Sequence, residues 1–242
     1  MLLVEKAKLI GELQGSILRM QGLKSLGSPA AEVGLGAINN AFPNATFPVG
    51  CIHEFISASN EDTASTSGFV SGLLSLLMKD GGTGLWISAS RTLFPPALKH
   101  FGLQPDHFIF IDLKKEKEVL EAMDEALKCA AINAVIGEVK DLSFTASRRL
   151  QLAVEQSQVT GFILRQNSRN LGTTACISRW KISHLSSESI DLPGVGFPAW
   201  RVELLKIRNG KPGSWDIQWK DGRFVPLQKF PLFIEQQKQK AG

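Results

Sequence analysis

The residue types that could do chemistry gather in FISASNEDTASTSGFVSGLLSLL, residues 55–77. The apolar pair Phe55-Ile56 leads into a polar loop and then into apolar residues at helical spacing, the strand–loop–helix layout of a phosphate-binding loop. Such a loop works through backbone N–H groups converging on phosphate oxygens. Glycines let the chain approach, a lysine reaches the terminal phosphates, and a hydroxyl holds magnesium. The stretch 57–68 supplies hydroxyls, Ser57 and Ser67 among them, and one late glycine, Gly68, but no lysine. It also sets Asn60, Glu61 and Asp62 near the expected helix start. Carboxylates there satisfy free N–H groups and the positive end of the helix dipole, and they repel a triphosphate. The stretch reads as a degenerate phosphate loop in which Ser59 or Asn60 caps a helix, and it is assigned no nucleotide.

Two further positions belong to the same chemistry. Glu138 ends the apolar run AVIGEV (134–139), where a carboxylate would stand near magnesium. Gln166, followed by Asn167, ends GFILRQ (161–166), where a polar side chain would sense the nucleotide. Without a phosphate loop, Glu138 reads as a surface or structural group. Gln166 reads as a relic of the sensing position or as a polar residue where a strand leaves the core. His53, His100, His107 and His184 are scattered, and no Ser–His–Asp or Cys–His spacing is present. Cys51, Cys129 and Cys176 have no metal-ligand spacing and read as reduced, buried residues. No catalytic residue, metal or cofactor is expected.

The elements that must position these residues follow from periodicity. Leu3, Ala7, Ile10, Leu13, Ile17 and Met20 predict an amphipathic helix over 3–21. Residues 22–48, rich in Gly, Ser, Pro and Asn, read as a connector. From residue 50, strands and helices alternate: strands at 51–56, 85–90, 108–113, 134–139 and 161–166, helices at 61–79, 94–101, 115–130 and 144–158. The run FIFIDL (108–113) suits a strand buried on both faces. This order predicts a mostly parallel, twisted α/β sheet flanked by helices. Strands at 174–184, 199–208, 215–219 and 223–227, with turns at RNGKPG (208–213) and Asp221-Gly222, predict a C-terminal antiparallel extension. The expected divisions are an N-terminal helix and connector (1–46), a core (47–228) and a polar tail (229–242).

At 242 residues and a net charge of +4, the chain is long enough for a sizeable core and leans weakly toward an acidic partner such as nucleic acid. No stretch approaches the ~20 apolar residues of a membrane span, so no membrane contact is expected and the cytoplasm is the default.

The segments GCIHEFI, LWISASRTLFPPALKHFGL, EALKCAAINAVIGEVKDLSFTASRRLQLAVEQSQVTGFILR, RW and WRVELLKIRNGKPGSWDIQW together resemble the ImuA family. These are RecA-like accessory proteins of bacterial damage-induced mutagenesis, related also to the cell-division inhibitor SulA. The resemblance spans roughly residues 47–226; ASRRLQLAVEQS and its spacing from the Gly137-Glu138 pair are its most specific parts. It implies a RecA-like core and a place in SOS-induced translesion synthesis. The implied partners are ImuB, an inactive Y-family polymerase relative, an error-prone polymerase subunit, and RecA itself. The chain departs from RecA at the phosphate loop, which points to a pseudo-ATPase. Only NSRNLGTTA separates GFILRQ from the next strand, too short for a RecA-type mobile DNA-binding loop. The alternatives are an ATPase with an unconventional loop and a SulA-like inhibitor.

Contact surfaces would then be built from cations. Arg148 and Arg149 lie in a predicted helix and read either as a solvated face or as contacts to a partner's acids or DNA phosphates. Arg165, Arg169, Arg179 and Lys181 cluster in sequence, and Lys206, Arg208 and Lys211 flank the RNGKPG turn. That turn reads equally as a phosphate-tracking tip for weak DNA contact and as an ordinary hairpin. Trp180 and Trp200, each beside an arginine, read as interface anchors; Trp215 and Trp219 read as core.

Overall fold

The computed structural model describes residues 34–90, 92–166, 171–186 and 196–227. The helix expected over 3–21, the polar tail, Asn167 and Arg169 lie outside the described residues.

Strand β1 (Ile52–Ser57) runs into helix α1 (Asn60–Leu77). Then come β2 (Gly84–Ser88), a 3-10 helix at Pro95–Phe101, β3 (Phe108–Asp112), α2 (Glu116–Ala126), β4 (Ala134–Val139), α3 (Phe144–Ser157) and β5 (Thr160–Gln166). Four more strands close the chain: β6 (Ser178–Leu185), β7 (Ala199–Ile207), β8 (Gly213–Lys220) and β9 (Arg223–Pro226). All nine form one sheet in the order β3-β2-β4-β5-β1-β6-β7-β8-β9. Pairings from β3 through to β6 are parallel; β6 to β9 are antiparallel. The expected architecture, a mostly parallel α/β sheet with flanking helices and an antiparallel extension, is what the chain adopts.

Helix α1 covers one face. Phe69, Val70, Leu73 and Leu74 are buried there with Phe55, Phe162, Trp180 and Trp200. Helices α2 and α3 cover the other, packing Val119, Met123, Leu127, Leu150 and Val154 on Ile52, Val135 and Ile163. Each fully buried side chain of this size contributes about 1.5–3 kcal/mol. The β8–β9 hairpin turns on Asp221 and Gly222 with φ of 52° and 71°, the left-handed pair that a two-residue turn between twisted strands requires.

Several expectations are corrected. The FIFID strand is not covered on both faces: β3 is the sheet edge, and Ile109 is 54% exposed. An apolar run does not say where in a sheet a strand will sit. Residues 35–47, read as connector, contribute Leu35, Ile38, Phe42 and Phe47 to the core beside Trp180. Trp180 and Trp200 are buried beneath α1 rather than displayed. Successive strand residues point to opposite faces, so an arginine on one face leaves the neighbouring tryptophan on the other, here the face that α1 covers. Trp219 is core as expected, with Trp215 packed at its margin. The three cysteines are free thiols, but Cys129 is exposed.

Candidate functional site

Two residues, Ala58 and Ser59, connect β1 to α1. Ser59 is the cap: its Oγ accepts from Asp62 N at 3.1 Å. Asp62 and Glu61 fill the first turn, where the dipole favours carboxylates. Asp62 also accepts from His184 N at 3.3 Å, tying the helix start to the end of β6. Ser57, at the end of β1, bonds Thr66 Oγ1 at 2.9 Å.

Ser67 and Gly68 are therefore not loop residues. They lie inside α1, which starts directly after Ser59. Gly68 and Gly72 form a notch for aromatic packing. A Cβ on Gly68 would sit 3.1 Å from Phe101 and 3.3 Å from Trp200; one on Gly72 would sit 2.9 Å from Phe224 and 3.0 Å from Trp219. Gly68 reads as a phosphate glycine in sequence because the two roles share one demand, the close approach of other atoms to the backbone.

Beside α1, at the carboxyl ends of the parallel strands, lies a cleft of about 410 Å³. Ligands of open α/β sheets bind at that end. Asn60, Thr63, Ser67 and Ser71 form one wall, and Leu93, Phe94 and Phe101 the other, with Thr92 and Gln166 between them. Beneath it, Glu138 is buried. Its Oε1 accepts from Trp86 Nε1 at 2.7 Å, and its Oε2 accepts from Thr92 Oγ1 at 2.6 Å, Gln166 Nε2 at 3.0 Å and Ser90 Oγ at 3.5 Å. Glu138 and Gln166, far apart in sequence, thus meet. All four donors are uncharged. Trp86, Thr92 and Phe94 went unrecognised in sequence reading, and the only signal was their place in the LWISASRTLF stretch.

The pair His53-Glu54 is buried on opposite faces of β1. His53 stacks between Phe47 and Phe162 at 4.4 and 5.6 Å. Its ring bonds Ser178 Oγ at 2.6 Å and Pro48 O at 2.8 Å, and Trp180 Nε1 donates to the same Ser178 Oγ at 2.7 Å. Burial holds the imidazole at a pKa of about 4, only partly offset by the bond to Pro48. Burial likewise raises the Cys51 thiol, and pushes Cys176 up to about 12 with a smaller push from Glu54. Neither thiol is a nucleophile near neutral pH.

Glu54 anchors an ionic cluster on the α3 side. Oε1 accepts from Arg165 Nη1, and Oε2 from Arg179 Nε and Thr174 Oγ1, each at 2.8 Å. Arg165 is 1% exposed, so it is not available as a contact residue. Burial of a long cation is possible here because a paired carboxylate awaits it across the sheet. Arg148 and Arg149 are exposed as expected. Arg148 lies 3.7 Å from Glu155, and Arg149 lies 3.4 Å from Asp124 of α2. Lys206 donates to Thr174 O at 3.0 Å, while Arg208 and Lys211 stand exposed on a hairpin whose Lys211 N bonds Ala41 O at 2.8 Å. The structure therefore does not unite the basic candidates: Arg148 and Arg149 sit on a helix, and the other three on the extension. Among the described residues, no group of His, Cys, Asp or Glu is arranged to hold a metal, and no helix is long and apolar enough to cross a membrane.

Fold and cleft together define an open α/β protein with a cleft at its strand ends and a two-residue link from β1 to α1. No family model matches the chain. It is 32% identical to Protein ImuA of Caulobacter vibrioides over 212 residues, 82% of this chain and 87% of that protein. Weaker likenesses are to the cell division inhibitor SulA. The Photorhabdus laumondii protein is 31% identical over 110 residues, 44% of this chain and 62% of that one. The Yersinia pestis protein is 27% identical over 128 residues, 52% and 75%. The chain belongs to the ImuA family. Membership supports involvement in damage-induced mutagenesis.

Proposed function

We propose that this protein is a non-catalytic adaptor in SOS-induced error-prone translesion synthesis, a pseudo-ATPase with a RecA-like core. Its partners in this reading are an ImuB-type inactive Y-family polymerase relative, an error-prone polymerase subunit, and RecA. It works in the cytoplasm.

The observation that carries the reading is the two-residue link between β1 and α1. A phosphate loop needs several consecutive N–H groups curling around one anion. Ala58 and Ser59 are too few, and Ser59 already occupies a helix-start N–H with its own hydroxyl. Glu138, with both oxygens taken by protein donors, is poorly placed to order a magnesium-bound water.

Equilibrium binding of labelled ATP with magnesium tests the pseudo-ATPase claim. Micromolar binding would favour an ATPase with an unconventional loop. Co-purification with the ImuB-type partner tests the adaptor claim, and failure to co-purify would count against it. The likeness to SulA keeps one second reading in view, inhibition of a tubulin-like division protein. Overexpression separates the two: filamenting cells support inhibition, and altered mutation frequency without filaments supports the adaptor.

A further inference from the structure

The chemistry of the cleft has the wrong sign for a phosphate, and that sign names a different occupant. A phosphate is all acceptor and needs donors and cations around it. The walls here offer few: Asn60 and Ser67 aside, the hydroxyls that line them have spent their protons. Thr63 Oγ1 donates to Ser59 O at 2.9 Å and Ser71 Oγ to Ser67 O at 2.7 Å. With their protons turned back into α1, these hydroxyls have only lone pairs to present. Gln166 turns its Nε2 inward to Glu138 and Thr92, which leaves its carbonyl oxygen on the other side of the amide. Among the described residues, the donors that meet the buried Glu138 are neutral. Among the described residues, no lysine or arginine lines the cleft. Glu61 stands exposed in the same first turn.

The opposite wall is aromatic and apolar. Phe94 is 68% exposed, an unusual position for phenylalanine, and Phe101 and Ala97 lie beyond it. Resting on the adaptor reading above, we infer that this cleft receives an arginine side chain of a partner protein. A guanidinium carries five N–H donors and no acceptor, lies flat on an aromatic ring, and is weakly hydrated for its charge. Its methylene stem suits the apolar edge formed by Leu93 and Ala97. The volume exceeds that of one side chain and leaves room for the peptide that carries it. A lysine shares the charge but lacks the plane and the fork.

The test is a titration of the full chain with blocked arginine (N-acetyl-arginine methylamide), blocked lysine and blocked citrulline, the neutral isostere of arginine. The readout is the NMR signal of the Trp86 indole N–H, which reports on Glu138. Blocked arginine should shift it saturably with Kd on the order of millimolar, as expected of a small fragment. Lysine should bind more weakly, and citrulline should not saturate. Phe94→Ala, a change at an exposed ring, should weaken arginine roughly 2–5-fold, the worth of an exposed cation–π contact. No saturable shift with arginine, an equal response to citrulline, or indifference to Phe94→Ala would overturn the inference and leave the adaptor reading standing. Saturation of the same signal by ATP with magnesium would overturn both.

Discussion

His53 is held as a neutral ring by its burial, with both nitrogens partnered. One nitrogen donates to Pro48 O, and the other accepts from Ser178, whose oxygen in turn takes the Trp180 N–H. Its pKa of about 4 in the fold lies below the ordinary value of 6.5. Between these limits the unfolded chain binds a proton that the folded chain refuses, so stability must fall as pH drops from 6.5 toward 4. The full effect is about 3 kcal/mol. Denaturant midpoints should decline over this window more steeply for the natural chain than for His53→Gln; parallel declines would reject the assignment. Across β1, Glu54 shows the opposite problem. Glu54→Ala removes the buried carboxylate that Arg165 and Arg179 share and should cost about 3–5 kcal/mol. Adding Arg165→Met should recover part of that loss, because an apolar side chain needs no counter-charge.

At the scale of elements, α1 is held by its cap and by its glycine notch. Ser59→Ala should lower stability by about 1 kcal/mol, measured by chemical denaturation. An alanine in a helix ordinarily gains up to about 1 kcal/mol over glycine. At Gly72 that gain meets the rings of Phe224 and Trp219 at 2.9 and 3.0 Å, so Gly72→Ala should be destabilising by about 1–3 kcal/mol. Gly68→Ala meets Phe101 at 3.1 Å and Trp200 at 3.3 Å and should be milder. A stabilised Gly72→Ala would show that α1 can shift away from the extension.

For the whole molecule, the basic extension is the surface to test for nucleic acid. Lys206, Arg208 and Lys211 sit on or beside one hairpin, with Arg208 and Lys211 exposed. If DNA is touched there, binding should be weak and salt-sensitive, and reversing all three charges should reduce both affinity and salt slope. Unchanged binding in an anisotropy titration would remove the hairpin from consideration. Arg148→Glu should instead affect a partner docked on α3, read out by co-purification.

How much of this was legible in the sequence depends on the range of the interaction. Local signals were enough for α1 and its cap, for the Asp221-Gly222 turn, for alternating strands and helices, and for the missing lysine. These follow from spacing within a few residues, as do the segments that placed the chain in its family. Spatial order was not local. That FIFID is an edge, that Trp180 lies under α1, and that Leu35 to Phe47 belong to the core depend on which strands become neighbours. Glu138 and Gln166, 28 positions apart, share a bond only because β4 and β5 pair in register. Arg165 is buried against Glu54, 111 positions away, a pairing that spacing along the chain does not reveal. The sequence by itself determined what each segment could become and that no lysine stands at the strand end. Only the tertiary structure decided which polar groups spend their hydrogen bonds on one another and which are left facing the cleft, because that depends on distances the linear chain does not fix.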